Sequence, residues 1–322
     1  MCLVAFAIDR SRRFPLVIAS NRDEYFKRPA ARLAWWAPNA GAAPVLSGRD
    51  LESGGTWLGL TAQGRLALLT NVRGTAPHDP QAPSRGSIAL DWLSARETTG
   101  NFWMRTAMSG HNGFNLLAAD FVRSECFYAS NAQAGPQRLG SGIYGLSNGT
   151  LDAPWPKVQA LKARLAESMD AATSVDELAT QLFAALADRS VAADASLPQT
   201  GIPLDWEREL SSAFIRTPDE TYGTRCSTLV ITERTGRYPV THVLERSFNA
   251  SGSVALLRRA SLRNWPPRYD LGVQAATEHG AVSDAELDGT TRPDLAPRRT
   301  RVRSLLRPAS DARRSRVAHE TV

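Results

Sequence analysis

CLVAFAI (residues 2–8) and PLVIAS (residues 15–20), parted by the polar stretch DRSRRF (residues 9–14), are two β-rich apolar runs. Their short connection implies antiparallel pairing, because parallel strands need a crossover of about a dozen residues or more. The same grammar recurs along the chain. TWLGLT (56–61) and LALLTNV (66–72) flank AQGR, and GFNLLAADF (113–121) and ECFYAS (125–130) flank VRS. CSTLVITE (226–233) and YPVTHVLERSF (238–248) close the series around RTGR.

Helices come in blocks between these hairpins. A short one is expected over Ser87 to Ala95. After the Gly-rich link SGIYGLSNG (141–149), WPKVQALKARLAESM carries Val158, Leu161 and Leu165 at helical spacing. SVDELATQLFAALADRS opens with Ser174 and Glu177 in capping-box register and puts Leu178, Leu182, Phe183 and Leu186 on one face. Strands, helix, strands, two helices, strands: this order predicts an α+β fold of antiparallel sheets, not a doubly wound parallel one.

The 322-residue chain has a formal charge of +6. From Asp288 to Val322 nine arginines face four acids, so almost all of that charge belongs to the end of the chain. A basic tail is not a basic folded face, and no nucleic-acid partner is expected. After about Ser251 the apolar periodicity fades. The reading is one domain over 1–265 and an Arg-rich tail over 266–322 that is expected to be disordered. No apolar run approaches the ~18 residues of a membrane span. The opening is not a secretory signal, since its charges follow the apolar stretch. Three cysteines (2, 126 and 226) without a CxxC pair exclude a disulfide scaffold or a zinc ribbon and fit a reducing, cytoplasmic location.

Cys2 carries the chemistry. Removal of Met1 would leave one residue with both a thiol and a free α-amine. That amine, with an ordinary pKa of about 7.7–8.0, can take the thiol proton, so the nucleophile needs no histidine. The five histidines (78, 111, 242, 279 and 319) form no motif.

Downstream stand SNRDEYFKRP (20–29), SGRDLESGGTWLG (47–59), GRLALLTNVR (64–73), GHNGFNLLAAD (110–120), YGLSNG (144–149) with APWPK (153–157), and YGTRCSTLVI (222–231). With the opening Met-Cys, their order and spacing resemble the NRDE-domain family, the family of the transport and Golgi organisation 2 protein. The resemblance runs from Met1 to about Phe248. It implies an N-terminal nucleophile hydrolase-like fold, a four-layer αββα sandwich with the nucleophile at the start of the first strand. It also implies a set of catalytic residues, here Cys2, Asp23, Asn71, Asn148 and Arg225.

In that set Asp23 would fix the α-amine, Asn71 and a backbone N–H would form an oxyanion hole, and Asn148 would donate again or bind the substrate amide. Arg225 would favour the thiolate, and the Cys2 pKa is expected below that of a free thiol. Asn21, Arg22 and Trp57 are candidate substrate-binding residues. Arg22 directly precedes Asp23, so on an extended strand their side chains face opposite ways, which sets Arg22 apart. The implied activity is amide (C–N) hydrolysis through an acyl-thioester on Cys2, with no cofactor required. The alternative, also implied by the resemblance, is a non-catalytic carrier of haem, lipid or acyl-CoA. Cys2, His78 and His111 would then be the possible axial ligands of haem, although no Cys-Pro haem motif is present.

Overall fold

The computed structural model describes residues 2–74, 78–133 and 135–266. In chain order the strands are β1 (Cys2–Ile8), β2 (Leu16–Tyr25), β3 (Ala30–Trp36), β4 (Val45–Asp50), β5 (Leu58–Thr61), β6 (Arg65–Asn71), β7 (Phe114–Asp120), β8 (Glu125–Ser130), β9 (Gln137–Arg138), β10 (Gly142–Leu146), β11 (Tyr222–Glu233), β12 (Val240–Phe248) and β13 (Val254–Arg263). The helices are α1 (Gly86–Ser94), α2 (Thr99–Ala107), α3 (Pro156–Ala171), α4 (Val175–Leu186) and the short α5 (Leu204–Glu209).

Two antiparallel sheets hold every strand. One has the order β10-β1-β2-β11-β12-β13, the other β3-β4-β5-β6-β7-β8-β9. β1 is buried along its whole length. Its alternate side chains divide between two cores. Val4, Phe6 and Ile8 pack between the sheets, with Leu46, Leu66 and Leu117 from the second sheet. Leu3, Ala5 and Ala7 pack under α3 and α4, against Val158, Leu161, Leu165, Leu178 and Leu182. A third cluster joins Trp92 and Phe102, from α1 and α2, to Leu116 and Phe127 on the outer face of the second sheet. The layering is therefore αββα, with β1 covered on both faces. That explains why β1 reads as an unbroken apolar run instead of an alternating one.

The helix ends follow local chemistry. The Ser174 hydroxyl accepts from Glu177 N at 3.2 Å. The Glu177 carboxylate reaches back to Thr173, one residue beyond the expected box partner. Pro156 opens α3 at a position where its missing N–H costs nothing.

Several elements lack a sequence signal. β3 and β13 are edge strands with broken burial patterns, so neither shows a clean period of two. α2 includes Gly100 and Asn101, poor helix formers, and is held by Phe102 and Trp103. The fading pattern after Ser251 hides β13 and then Trp265, which is 2% exposed and donates Nε1 to Thr61 O at 2.9 Å. The tail expected from residue 266 onward lies outside the described residues apart from Pro266. No helix among the described residues is long and apolar enough to cross a membrane.

Candidate functional site

β1 begins at the wall of a cavity of about 720 Å³. Cys2, Arg22, Asp23, Trp57 and Asn71 all line it. Strand register accounts for much of this grouping. Cys2 lies opposite Arg22 in the β1–β2 pair, on the side that looks toward the second sheet. Asp23 is one step further along β2, beyond the last pair of the β1–β2 ladder. It occupies the helix-side face, as the alternation requires. Both residues nevertheless line the cavity.

Arg22 is 5% exposed. Its Nη2 bonds Asp50 Oδ2 at 3.0 Å and its guanidinium lies 4.4 Å from the Trp57 ring centroid. Its Nη1 is buried and has no hydrogen-bond partner among the described residues. Arg28 shares Asp50 (Nε to Oδ2, 2.6 Å) and spends its other nitrogens on Glu52 and Ser53, each at 2.7 Å. Burial alone would raise the Asp50 carboxyl. The bonds from Arg28 and Ser53 N, with Arg22 nearby, outweigh it and hold the group below the usual range.

Asp23 is 1% exposed and its Oδ1 accepts from Thr224 Oγ1 at 2.7 Å. Burial raises its pKa, opposed by the chain's α-ammonium, Lys157, the Thr224 bond and Arg22. Burial also pushes the Cys2 thiol up, although the α-ammonium and Arg22 pull it down. The expectation of a lowered Cys2 pKa concerns the chain without Met1; with Met1 present, desolvation outweighs the cations.

The remaining residues read from the sequence act behind the cavity. Asn148 is fully buried and donates Nδ2 to Asn71 O at 2.8 Å, while its own carbonyl accepts from Arg73 N at 2.7 Å. Its neighbour Ser147 donates Oγ to Cys2 O at 2.9 Å. Asn148 thus holds the end of β6, and with it Asn71, beside the start of β1. Asn21 bonds Leu186 O and Ala213 O, both at 2.8 Å, and accepts from Ser227 Oγ, which ties the sheet to the helical layer. Arg225 does not line the cavity. A bulge in β11 opposite Arg22 and Asp23 leaves it out of register. Its Nη1 donates to Tyr25 O (2.7 Å) and Arg28 O (2.8 Å), bracing the turn that carries Arg28. The cation facing Cys2 across the strand pair is Arg22.

Three contributors escape sequence reasoning. Tyr222 lines the cavity and donates Oη to Asp23 O at 3.1 Å; burial raises its phenol well above the ordinary value. Lys157, the second residue of α3, is 6% exposed, with Nζ donating to Leu210 O at 2.7 Å. Burial pushes its pKa down to about 8, with Asp23 opposing the shift. Arg85 stands on the wall formed by residues 78–86. Lys157 and Tyr222 sit inside the APWPK and YGTRC motifs, but nothing in a single sequence marks them as site residues. His78 lines the same cavity. His111 is engaged elsewhere, by the hydroxyls of Ser87 (3.3 Å) and Ser109 (2.5 Å).

The model of a protein family described as Transport and Golgi organisation 2 matches residues 1–250. The chain belongs to this family. It is similar to the bovine Transport and Golgi organization protein 2 homolog, 33% identical over 274 residues, which cover 78% of this chain and 94% of that one. The human homolog is 32% identical over 262 residues, covering 75% and 92%. The Drosophila melanogaster family member is 27% identical over 256 residues, covering 72% and 88%. The cavity residues Cys2, Arg22, Asp23, Trp57 and Asn71 all fall within the matched family region. Among solved structures, a Caenorhabditis elegans N-acylethanolamine-hydrolyzing acid amidase ortholog gives a TM-score of 0.41 at 11% identity, covering 71% of this chain and 92% of that one. A C2A mutant of the conjugated bile acid hydrolase from Clostridium perfringens gives 0.38 at 9% identity, covering 81% and 96%.

Proposed function

We propose that the cavity is an amide-hydrolysing site that works through an acyl-thioester on Cys2. The observation that supports this reading is the convergence, in one cavity, of Cys2, a cation directly across the strand pair (Arg22), the carboxylate that follows it on β2 (Asp23), and an amide from the second sheet (Asn71). Loss of Met1 would place a free α-amine next to Asp23. That amine takes the thiol proton, and the sulfur attacks the substrate carbonyl. On this reading the Asn71 amide donates to the resulting oxyanion. The C–N bond breaks as the α-ammonium returns its proton to the leaving nitrogen. Water, deprotonated by the same amine, then hydrolyses the thioester and frees the thiol. Arg22 favours the thiolate throughout.

Intact mass spectrometry tests this directly. The purified protein should lack Met1 and gain an acyl group on Cys2 when given an activated ester. Quantitative retention of Met1 would remove the base and sink the mechanism.

A second reading has one observation in its favour: Cys2 and His78, both haem-ligand types, line the same cavity. On it the protein carries haem, or a lipid or acyl-CoA, without turnover. Haemin titration tests the haem form of this reading. A carrier should lose its Soret shift in Cys2→Ala or His78→Ala and keep it in His111→Ala, whose ring bonds two serines outside the cavity lining. An equal, shallow response in all variants rules out a specific haem carrier.

A further inference from the structure

The charges around the cavity are not equally engaged. Its lining has more acids than arginines; three of the acids, Glu24, Asp50 and Glu52, pair with Arg22 or Arg28, and Asp23 accepts from Thr224 Oγ1. Asp50 accepts from Arg22 and Arg28, and Glu52 from Arg28. Asp79 accepts from Gln81 N at 2.8 Å, within its own turn. Glu24 accepts from Tyr25 N and stands 3.7 Å from Arg22.

The arginines divide differently. All three nitrogens of Arg28 are bonded. Arg22 keeps one buried, unpartnered nitrogen, Nη1. Arg85 donates Nη1 to Gly113 O at 3.2 Å and forms no ion pair among the described residues. Burial draws the Arg85 pKa down, while Glu24 and Cys2 oppose the shift, in keeping with a cation that belongs to this cavity. Among the lining arginines, Arg85 is therefore the one without a carboxylate partner among the described residues.

Arg85 is also held in place. It immediately precedes α1, whose first turn holds no acid. Gly86 packs directly on Gly55, so close that a side chain on Gly55 would overlap the Gly86 backbone, and Thr56 N donates to Gly86 O at 3.2 Å. Asn112 grips Asp79 from both sides: Nδ2 donates to Asp79 O and Oδ1 accepts from Asp79 N, both at 2.9 Å. His111 holds Ser87. The SGG and HNG stretches, which the hydrolysis itself does not use, thus fix the wall that carries Arg85.

We infer that Arg85, together with Arg22 Nη1, forms an anion subsite, and that the ligand of this cavity carries a small anionic group near the bond Cys2 attacks. The inference rests on the proposed function only for the identity of the reacting bond. The subsite itself can be probed whether or not the protein turns over.

Iodoacetate and iodoacetamide have similar size and differ in charge. Their alkylation rates at Cys2 are measured by peptide mapping, with free glutathione as reference, in wild type, Arg85→Gln and Arg85→Lys. The iodoacetate to iodoacetamide ratio should exceed that of glutathione in wild type and fall by roughly 3- to 10-fold in Arg85→Gln, as loss of one nearby charge predicts. Arg85→Lys should retain part of it. Calorimetric titration with N-hexanoylglycine and N-hexanoylglycinamide gives a second measure that needs no reactive thiol. Wild type should prefer the anion, and Arg85→Gln should lose that preference. An unchanged alkylation ratio in Arg85→Gln, or equal binding of the two amides by wild type, overturns the subsite. Retention of Met1 with a charge-dependent ratio would overturn the hydrolytic mechanism and leave the subsite standing.

Discussion

Gly55→Ala should be one of the most damaging single-methyl additions in this protein. A Cβ built there would meet Gly86 C at 2.5 Å and Gly86 Cα and O at 2.7 Å. An unstrained carbon–carbon contact needs about 3.5–4.0 Å, so the start of α1 must retreat by about 1 Å. The far end of the helix cannot follow freely. Trp92 is fully buried, donates Nε1 to Leu66 O at 3.0 Å, and its carbonyl accepts from Arg65 at 2.8 Å. The helix must pivot, breaking the Thr56 N to Gly86 O bond and displacing Arg85. Overpacking costs about 1–3 kcal/mol and the lost hydrogen bond about 1 kcal/mol. The sum, about 2–4 kcal/mol, converts to a fall in Tm of roughly 4–16 °C for a domain of this size. Gly100→Ala is the control, because nothing lies within 4 Å of a Cβ at that position in α2. It should stabilise by up to about 1 kcal/mol through helix propensity. Urea and thermal denaturation measure both, and the iodoacetate to iodoacetamide ratio at Cys2 should fall in Gly55→Ala alone. A Gly55→Ala protein within about 0.5 kcal/mol of wild type, with an unchanged ratio, would show that the 55–86 contact does not set the cavity wall.

Removing the positive charge in Arg22→Gln should raise the Cys2 pKa and slow its alkylation near pH 8, whereas Arg225→Gln, outside the cavity, should lower Tm and leave the rate within about twofold; a pH–rate profile of each variant decides. Lys157 has its pKa pushed from 10.5 to about 8 by burial. Between those values the unfolded chain holds a proton the native chain lacks, so wild-type stability should rise with pH from about 8 to 10.5 relative to Lys157→Met. Urea unfolding at pH 8 and pH 10 tests this, and a parallel pair of curves would contradict it. Trp265→Ala should cost about 3–5 kcal/mol, the range for a buried tryptophan; a cost below about 1 kcal/mol in a denaturation series would mean that Trp265 does not anchor the end of the domain.

The layered α+β plan was legible where short-range chemistry is strong. The strand Cys2–Ile8, the hairpin runs and the two long helices follow from apolar periodicity, capping residues and turn types, all local properties. The elements that were not legible, β3, β13 and α2, owe their existence to partners distant in the chain. An edge strand pairs on one side only and shows no clean alternation, and a helix with Gly and Asn in its first turn forms because Phe102 and Trp103 find a core.

The site divides in the same way. Cys2, Asp23 and Asn71 could be singled out from residue type and family motifs, since a nucleophile, a carboxylate and an amide are chemical identities that sequence displays. Which cation faces the thiol could not. Strand alternation set Arg22 apart from Asp23 and the motif order pointed to Arg225. The structure lines one cavity with both Arg22 and Asp23, and a bulge in β11 turns Arg225 to a backbone-bracing role. The engagement of each charge was equally hidden. Arg22, Arg28 and Arg85 are the same residue in a sequence. Only the folded chain shows that each Arg28 nitrogen has a partner, that Arg22 keeps a buried nitrogen without one, and that Arg85 has no ion pair among the described residues, because that depends on distances between residues that no local pattern encodes.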